Sequence, residues 1–257
     1  MRDIFFRPRV LKTGRDVLLF RLDRKRVMVV SCDSAGGIGP KPLDQVKVDG
    51  YTVGRFTSRV ALMEALSVGA EPICIMNTLT VEPKPTGSEI IKGIRSEVRY
   101  ARLDPRIVMR ESTEKNIFVR QTGVGVTVVG IAVAKSLKIG RCRPEDAVVA
   151  IGLPHVRDEV MLGEKLRRIA DTKDLCNLLN LSFVHEIIPV GSQGILHEAY
   201  TIAADSNLRF SLRQSLGFDV EKSAGPATVL LCTCRASHLK ELSKLIRKPV
   251  NLIGSLA

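Results

Sequence analysis

Residues 29–41 read Val-Val-Ser-Cys-Asp-Ser-Ala-Gly-Gly-Ile-Gly-Pro-Lys. The Asp33 carboxylate therefore stands at the end of an apolar, β-branched stretch, just ahead of Gly36, Gly37, Gly39 and Lys41. That is the make-up of a metal–phosphate site. Glycines let backbone N–H groups approach phosphate oxygens, a lysine adds positive charge, and an aspartate can hold the magnesium that bridges them. The standard nucleotide motifs do not fit. A P-loop needs Gly-Lys-Ser/Thr opening a helix, a dinucleotide fingerprint needs a helix after its glycines, and Pro40 and Pro42 prevent one. A loop whose glycines serve only turns reads the same residues equally well. A second acid, Glu64, sits in an otherwise apolar helical pattern. Either it snorkels at the edge of the apolar stripe, or it is a second magnesium ligand facing Asp33, and spacing does not choose.

The elements that must carry these residues follow from periodicity. Two apolar, β-rich stretches, 17–22 and 27–32, flank Asp23-Arg24-Lys25-Arg26 and predict a hairpin whose second strand delivers Asp33 to the Gly/Pro-rich loop 34–42. Phe56, Val60, Met63 and Ser67 share one helical face with Leu62 and Leu66 beside them, and Gly69 stands at a left-handed C-cap. This predicts a helix of about three turns bearing Glu64. Residues 72–81 read as a buried strand, and Thr86-Gly87-Ser88-Glu89 as a capping box opening a helix through Ile90, Ile94 and Val98. The Val/Thr/Gly-rich run 118–134 fits one long strand or two short ones. After the basic segment 138–144 the pattern restarts with a strand at 147–153, helices within 158–179, a strand at 183–188, a helix at 194–205, a strand at 228–234 and a helix at 238–247. The expectation is two α/β domains, 1–138 and 139–257.

Composition narrows the partners. The 257 residues carry 39 Lys or Arg against 27 Asp or Glu, a net charge of +12, and residues 1–30 alone hold nine basic against three acidic side chains. Such a surplus favours anionic ligands. Aromatics are only 4% with no Trp, so the stacking platforms of nucleic-acid binders are in short supply, and nucleic acid is not the expected partner. The longest uncharged stretch, 121–134, has 14 residues and three glycines. It falls short of the roughly 17–25 apolar residues a membrane span needs. No export signal is read at the start, and the expected location is the cytoplasm. The six cysteines have no CxxC spacing, which predicts reduced, buried thiols; Cys232 and Cys234 should point to one face of a strand. Residues 191–194 open a helix and suit either anion binding or plain turn duty. Of the four histidines, His155 follows Pro154 in a loop, and His185, His197 and His238 read as structural or solvated.

Taken in order, these segments resemble the ATP-binding family that includes aminoimidazole ribonucleotide synthetase, selenophosphate synthetase, thiamine-monophosphate kinase and hydrogenase maturation protein E. The resemblance covers nearly the whole chain. Asp33 to Lys41 matches the family's aspartate before a Gly-rich turn. Met63-Glu64 before Gly69-Ala70-Glu71-Pro72 matches its Asn/Ser-Asp pair before Gly-Ala-Glu-Pro, so Glu64 takes the metal-binding aspartate's place. Glu111-Ser112-Thr113-Glu114 corresponds to its Gly-Gly-Asp/Glu-Thr turn, residues 12–16 resemble the Gly-Asp-Asp start of the kinase branch, and residues 190–194 its Val-Ser-Asp-Gly turn. Asn77 and Gln193 stand where some members keep acids. The wording Cys-Asp-Ser-x-Gly-Gly-Ile-Gly-x-Lys-Pro, Ser-Thr-Glu-x-Asn-Ile and Gln-Thr-Gly-Val-Gly-Val-Thr-Val is most similar to the α-ribazole kinase branch.

The resemblance implies a two-domain PurM-like α/β (α+β) fold, with an N-terminal domain that forms a dimeric β-barrel and a C-terminal α/β sandwich domain. It implies a homodimer with ATP near the interface, and ATP- and magnesium-dependent phosphorylation of the 5′-hydroxyl of the nucleoside α-ribazole. Asp33 and Glu64 would be the catalytic, magnesium-holding carboxylates, with Glu114 a further metal ligand. Asp16, Gly36, Gly37, Gly39 and Lys41 would bind ATP, and Asn116 and Gln121 the nucleoside. The alternatives are phosphorylation of another small metabolite in the manner of thiamine-monophosphate kinase, or a nucleotide binder of the same fold without turnover.

Overall fold

The computed structural model describes residues 9–257; the basic opening residues 1–8, with Phe5 and Phe6, lie outside the described residues. The chain starts with β1 (Arg9–Leu11), β2 (Leu18–Arg21) and β3 (Arg26–Gly36). The expected hairpin is present: Asp23 turns the chain by accepting hydrogen bonds from the backbone N–H groups of Lys25 and Arg26 at 2.7 and 2.8 Å. β3 does not stop at Asp33. It runs on to Gly36, because residues 34–36 stay paired with residues 123–125, and Gly37 with φ of 70° ends it. Two short parallel segments, β4 (Ile38–Gly39) and β5 (Val46–Lys47), follow.

Helix α1 (Gly50–Ser67) is longer than its apolar periodicity announced. Asp49 caps it, accepting from the Thr52 N–H at 2.7 Å, and Gly69 ends it at φ of 84° as expected. Its first turns contain Gly50 and Gly54, poor helix formers that hid the true start. Packing explains them: a Cβ on Gly54 would lie 2.0 Å from the Ile90 carbonyl oxygen, and one on Gly93 2.0 Å from that of Tyr51. α1 and α2 (Ser88–Tyr100) thus meet backbone to backbone. The expected capping box of α2 does not form. A short π-helical turn, Pro83–Gly87, leads into the helix instead, and the Thr86 hydroxyl is spent on Glu82 at 2.6 Å.

Between these helices runs β6 (Glu71–Leu79), which alternates exposed and buried residues rather than being buried throughout. α3 (Pro105–Val108), β7 (Met109–Thr113) and one long strand, β8 (Gly123–Val133), complete a six-stranded sheet ordered β1-β2-β3-β8-β6-β7, in which only β6 and β7 are parallel. Residues 111–113, expected in a turn, are the end of β7.

The second half comprises β9 (Asp146–Ile151), α4 (Glu159–Lys165), α5 (Thr172–Leu179), β10 (Glu186–Pro189), α6 (Gly194–Asp205), β11 (Phe210–Leu212), β12 (Leu230–Arg235), α7 (Leu239–Leu245) and β13 (Val250–Leu256). Its sheet is antiparallel, ordered β10-β12-β9-β13-β11. Cys232 and Cys234 point together into one core with Leu175, Leu178 and Leu242, while Leu231 faces the opposite core with Ile195 and Ile202. The cysteines are all free; Cys232 and Cys234 are buried as expected, but Cys74, Cys142 and Cys176 are half-buried and Cys32 is exposed.

α1 is wedged between the halves. Ala61, Leu62 and Ala65 join the first sheet's core, while Met63 is sealed in the core of the second. Among the described residues no helix is long and apolar enough to cross a membrane.

Candidate functional site

A cavity of about 800 Å³ opens between the two halves, walled by the end of β3, the segment around β5, one side of α1, the start of α4 and the turns at residues 190–192 and 225–227. Three carboxylates line it: Asp16, Asp33 and Glu64. Each is held by its own local device. Arg15 is buried, donating from Nη1 to the Ile187 carbonyl at 2.6 Å and from Nε to Asp205 at 3.3 Å, and it pairs with Glu186. This anchors the loop between β1 and β2 onto the second half, so that the next residue, Asp16, lies at the cavity wall. Ser31, two residues before Asp33 on β3, donates its hydroxyl to the Ala61 carbonyl at 2.7 Å, which ties the strand to the helix that carries Glu64.

The electrostatics of this wall are unfavourable by design of its surroundings. Burial pushes Asp33 up to about 6, against the Ser34 N–H that opposes the shift and with Asp16 adding to it. Glu64, 5% exposed, is raised well above the usual carboxylate range by burial, then by Asp16 and Glu198, with Arg15 opposing. Its Oε2 has no hydrogen-bond partner. Glu64 therefore does not snorkel; it turns inward. Glu198, on α6 and 8% exposed, is pushed up to about 7 by burial and by Asp16, while Arg15 and the Gly191 N–H pull it down.

The sequence expectations separate into two groups. Asp16, Asp33, Glu64 and Gly36 come together at the cavity. Lys41, Glu114, Asn116 and Gln121 do not line it. Lys41 is buried, pairs with Glu82 and lies 5.4 Å from the centre of the Phe118 ring. Gly37 and Gly39 have φ of 70° and 148° and turn the loop, which Asp44 fastens by accepting from the N–H groups of Lys41 and Thr122 at 2.8 and 2.7 Å. Glu114 accepts from the N–H groups of Asn116 and Ile117 at 2.6 and 3.1 Å, and Gln121 donates to the Leu43 carbonyl at 2.9 Å. Asn77 is buried and donates to the Arg110 carbonyl at 3.1 Å. Gly191 and Ser192 line the cavity, while Gln193 only precedes α6. Sequence reasoning missed Arg15, Arg157 and Glu198. The last carried the same signal as Glu64, an acid on an apolar helix face, here with Ile195, Ala199 and Ile202.

Hard carboxylate oxygens, one of them buried without a partner, are the donor chemistry magnesium takes. Among the described residues no group of three or more His, Cys, Asp or Glu side chains is gathered tightly enough to hold a metal. Magnesium on a nucleotide asks for one or two carboxylates, the rest of its shell being phosphate and water. Asp33 and Glu64 fit that requirement.

The fold is PurM-like. Residues 14–134 match the profile described as AIR synthase related protein, N-terminal domain. Solved structures with the same fold include thiamine-monophosphate kinase from Stenotrophomonas maltophilia K279a, 18% identical, covering 96% of this chain and 88% of that one at a TM-score of 0.64. T. maritima PurL complexed with ADP is 15% identical and covers 97% of this chain at a TM-score of 0.65, this chain spanning 43% of PurL. Hydrogenase maturation protein HypE in complex with ATP is 16% identical, with 92% and 78% coverage and a TM-score of 0.61. No curated protein matches the chain in sequence.

Proposed function

We propose that this protein is an ATP- and magnesium-dependent small-molecule kinase that phosphorylates the 5′-hydroxyl of α-ribazole, working in the cytoplasm as a homodimer whose halves, 1–138 and 139–257, are its two domains. The observation that carries the reading is the buried, unpartnered Glu64 carboxyl lining the same cavity as Asp33. An ionised carboxyl held there uncompensated is costly, so the group keeps its proton until a cation joins it. Solved structures of this fold with ADP or ATP bound support a nucleotide as the source of that cation.

Magnesium, when bound, neutralises charge on the phosphate oxygens. Asp33 and Glu64 would hold it, and Gly36, Gly37 and Gly39 would leave backbone room for phosphate. Lys41, Asp16, Glu114, Asn116 and Gln121 stay in the proposal as nucleotide or acceptor contacts, those outside the cavity serving a site completed by a second copy of the chain. In the reaction the bond from the γ-phosphorus to the bridging oxygen of ADP breaks, a bond from that phosphorus to the acceptor's 5′-oxygen forms, and the hydroxyl proton leaves to a carboxylate or to water. Positioning and electrostatics supply the catalysis. The dimer is supported by the outer face of the first sheet, where Leu18, Met76 and Val133 are 56%, 46% and 57% exposed.

The test is mass-spectrometric detection of product from purified protein, magnesium-ATP and α-ribazole, with thiamine monophosphate in a parallel reaction. Phosphorylated α-ribazole is expected. ATP binding without product from either acceptor would favour a nucleotide binder without turnover.

A further inference from the structure

Arg157 lies in the loop between β9 and α4, in the wall that the second half contributes to the cavity. The loop is pinned around it. The Leu153 N–H donates to the Arg168 carbonyl at 2.8 Å, the His155 N–H to the Thr228 hydroxyl at 3.1 Å and the Val156 N–H to the Glu159 carboxylate at 3.1 Å, while Glu159 pairs with Lys222 at 2.6 Å. Among these anchors Arg157 has φ of 52°. A side chain at such a φ costs free energy that glycine avoids. Elsewhere Arg102, Arg167 and Asn207 take a similar φ just past the ends of α2, α4 and α6, where helix termination calls for it. Arg157 ends no helix; it precedes α4. The residue is exposed, and its guanidinium makes no ion pair among the described residues, whereas Glu159 and Glu164 beyond it are both paired.

We propose that Arg157 binds the terminal phosphate of the nucleotide and neutralises charge on the phosphoryl group as it is transferred, an inference that rests on the kinase reading of the cavity. Among the described residues lining the cavity Arg157 is the one Lys or Arg, set against the carboxylates of Asp16, Asp33 and Glu64. Magnesium offsets only part of a triphosphate's charge, and other cations close by are committed, Arg15 to Glu186 and Asp205, Lys41 to Glu82. A guanidinium presents paired N–H donors that match two oxygens of one phosphoryl group. Asp33, Gly36 and Glu64 come from the first half and Arg157 from the second. With the inner phosphates at the magnesium and the Gly36 turn, the end of the chain left to the second half is the terminal one. An unpaired arginine in a strained, anchored loop fits a residue kept for a ligand rather than for the loop.

Arg157→Gly and Arg157→Asn both suit a left-handed φ, so each removes the guanidinium without straining the loop. Calorimetry of the full chain with magnesium-ATP and, separately, magnesium-ADP reads the contact without depending on transfer. Both variants are expected to bind ATP at least about tenfold more weakly and ADP within about twofold of the parent, with a thermal midpoint no lower than the parent's. Where product forms, kcat should fall about a hundredfold or more. The inference is overturned if either variant folds and binds ATP as the parent does, or if ATP and ADP weaken alike, since Arg157 would then serve the inner phosphates or only the general field. The kinase reading fails separately: an ATP-selective loss in a protein that phosphorylates no acceptor sinks that reading and leaves the contact, whereas transfer undiminished in both variants does the reverse.

Discussion

Arg59 Nε donates to Glu97 Oε1 at 3.0 Å, and neither side chain reaches solvent. The same carboxylate oxygen accepts from the Thr172 hydroxyl at 2.5 Å, so Glu97 ties α1 and α2 to α5 of the second half. Glu164 on α4 adds a second acid, paired with Arg55 at 2.7 Å and Arg59 at 3.4 Å. Removing one member of a buried pair strands the other's charge. Glu97→Ala is expected to destabilise the protein by about 3–5 kcal/mol, read as a shift in the urea midpoint. A loss below about 1 kcal/mol would mean that Arg59 finds water or another acid.

Backbone contact between α1 and α2 leaves no room at Gly54, where an added methyl would lie 2.0 Å from the Ile90 carbonyl. Gly54→Ala should cost about 1–3 kcal/mol or more through helix displacement. Gly217, with nothing within 4 Å of its would-be Cβ, should accept Ala within about 0.5 kcal/mol. Thermal unfolding of the two variants side by side checks the contrast.

The carboxyl cluster makes stability depend on pH with a definite sign. Glu198 is raised from 4.5 to about 7 and Asp33 from 3.8 to about 6, so the folded chain keeps protons that the unfolded chain has lost. Stability contributed by these groups is therefore full below about pH 4 and declines as pH rises through 6 and 7. Glu198→Gln should remove part of that decline, leaving the variant roughly 2–3 kcal/mol more stable than the parent at pH 8 and near parity at pH 4. Denaturant titrations across that range measure it, and parallel curves for variant and parent would show that Glu198 is not strained by its neighbours.

Asp33→Asn keeps the shape of the wall and takes away charge. Magnesium-ATP should then bind at least about tenfold more weakly, one charge-assisted contact being worth that much, while the fold gains stability above about pH 6, where the raised Asp33 carboxyl would otherwise ionise. Calorimetry giving equal affinities would take Asp33 out of the nucleotide site.

Much of this architecture was legible in the residues, and the failures share a cause. The hairpin at Asp23, the C-cap at Gly69 and α6 stand where periodicity and turn chemistry put them. The start of α1 was hidden because glycines there serve a neighbour's backbone rather than their own helix. β1, β7, β11 and β13 escaped notice: β1, β7 and β11 are short edge strands, and β13 carries Asn, Gly and Ser among its apolar residues. In the site, Asp33 announced itself through the glycines that follow, and Glu64 through its apolar setting. Glu198 and Arg15 matter only because folding brings residues 15, 64 and 198 to one place, which no local pattern records.

The placement of α1 has a consequence for anyone who would recombine this chain with others of its fold. Met63 belongs to the core of the second half although it is encoded in the first, and its neighbour Glu64 faces the cavity. A chimera joined near residue 138 therefore imports a foreign floor beneath Met63 and shifts the carboxylate next to it. Exchange of the second half succeeds only when the inward residues of α1 travel with it, so the unit of inheritance here is a sheet plus the helix lodged under its neighbour.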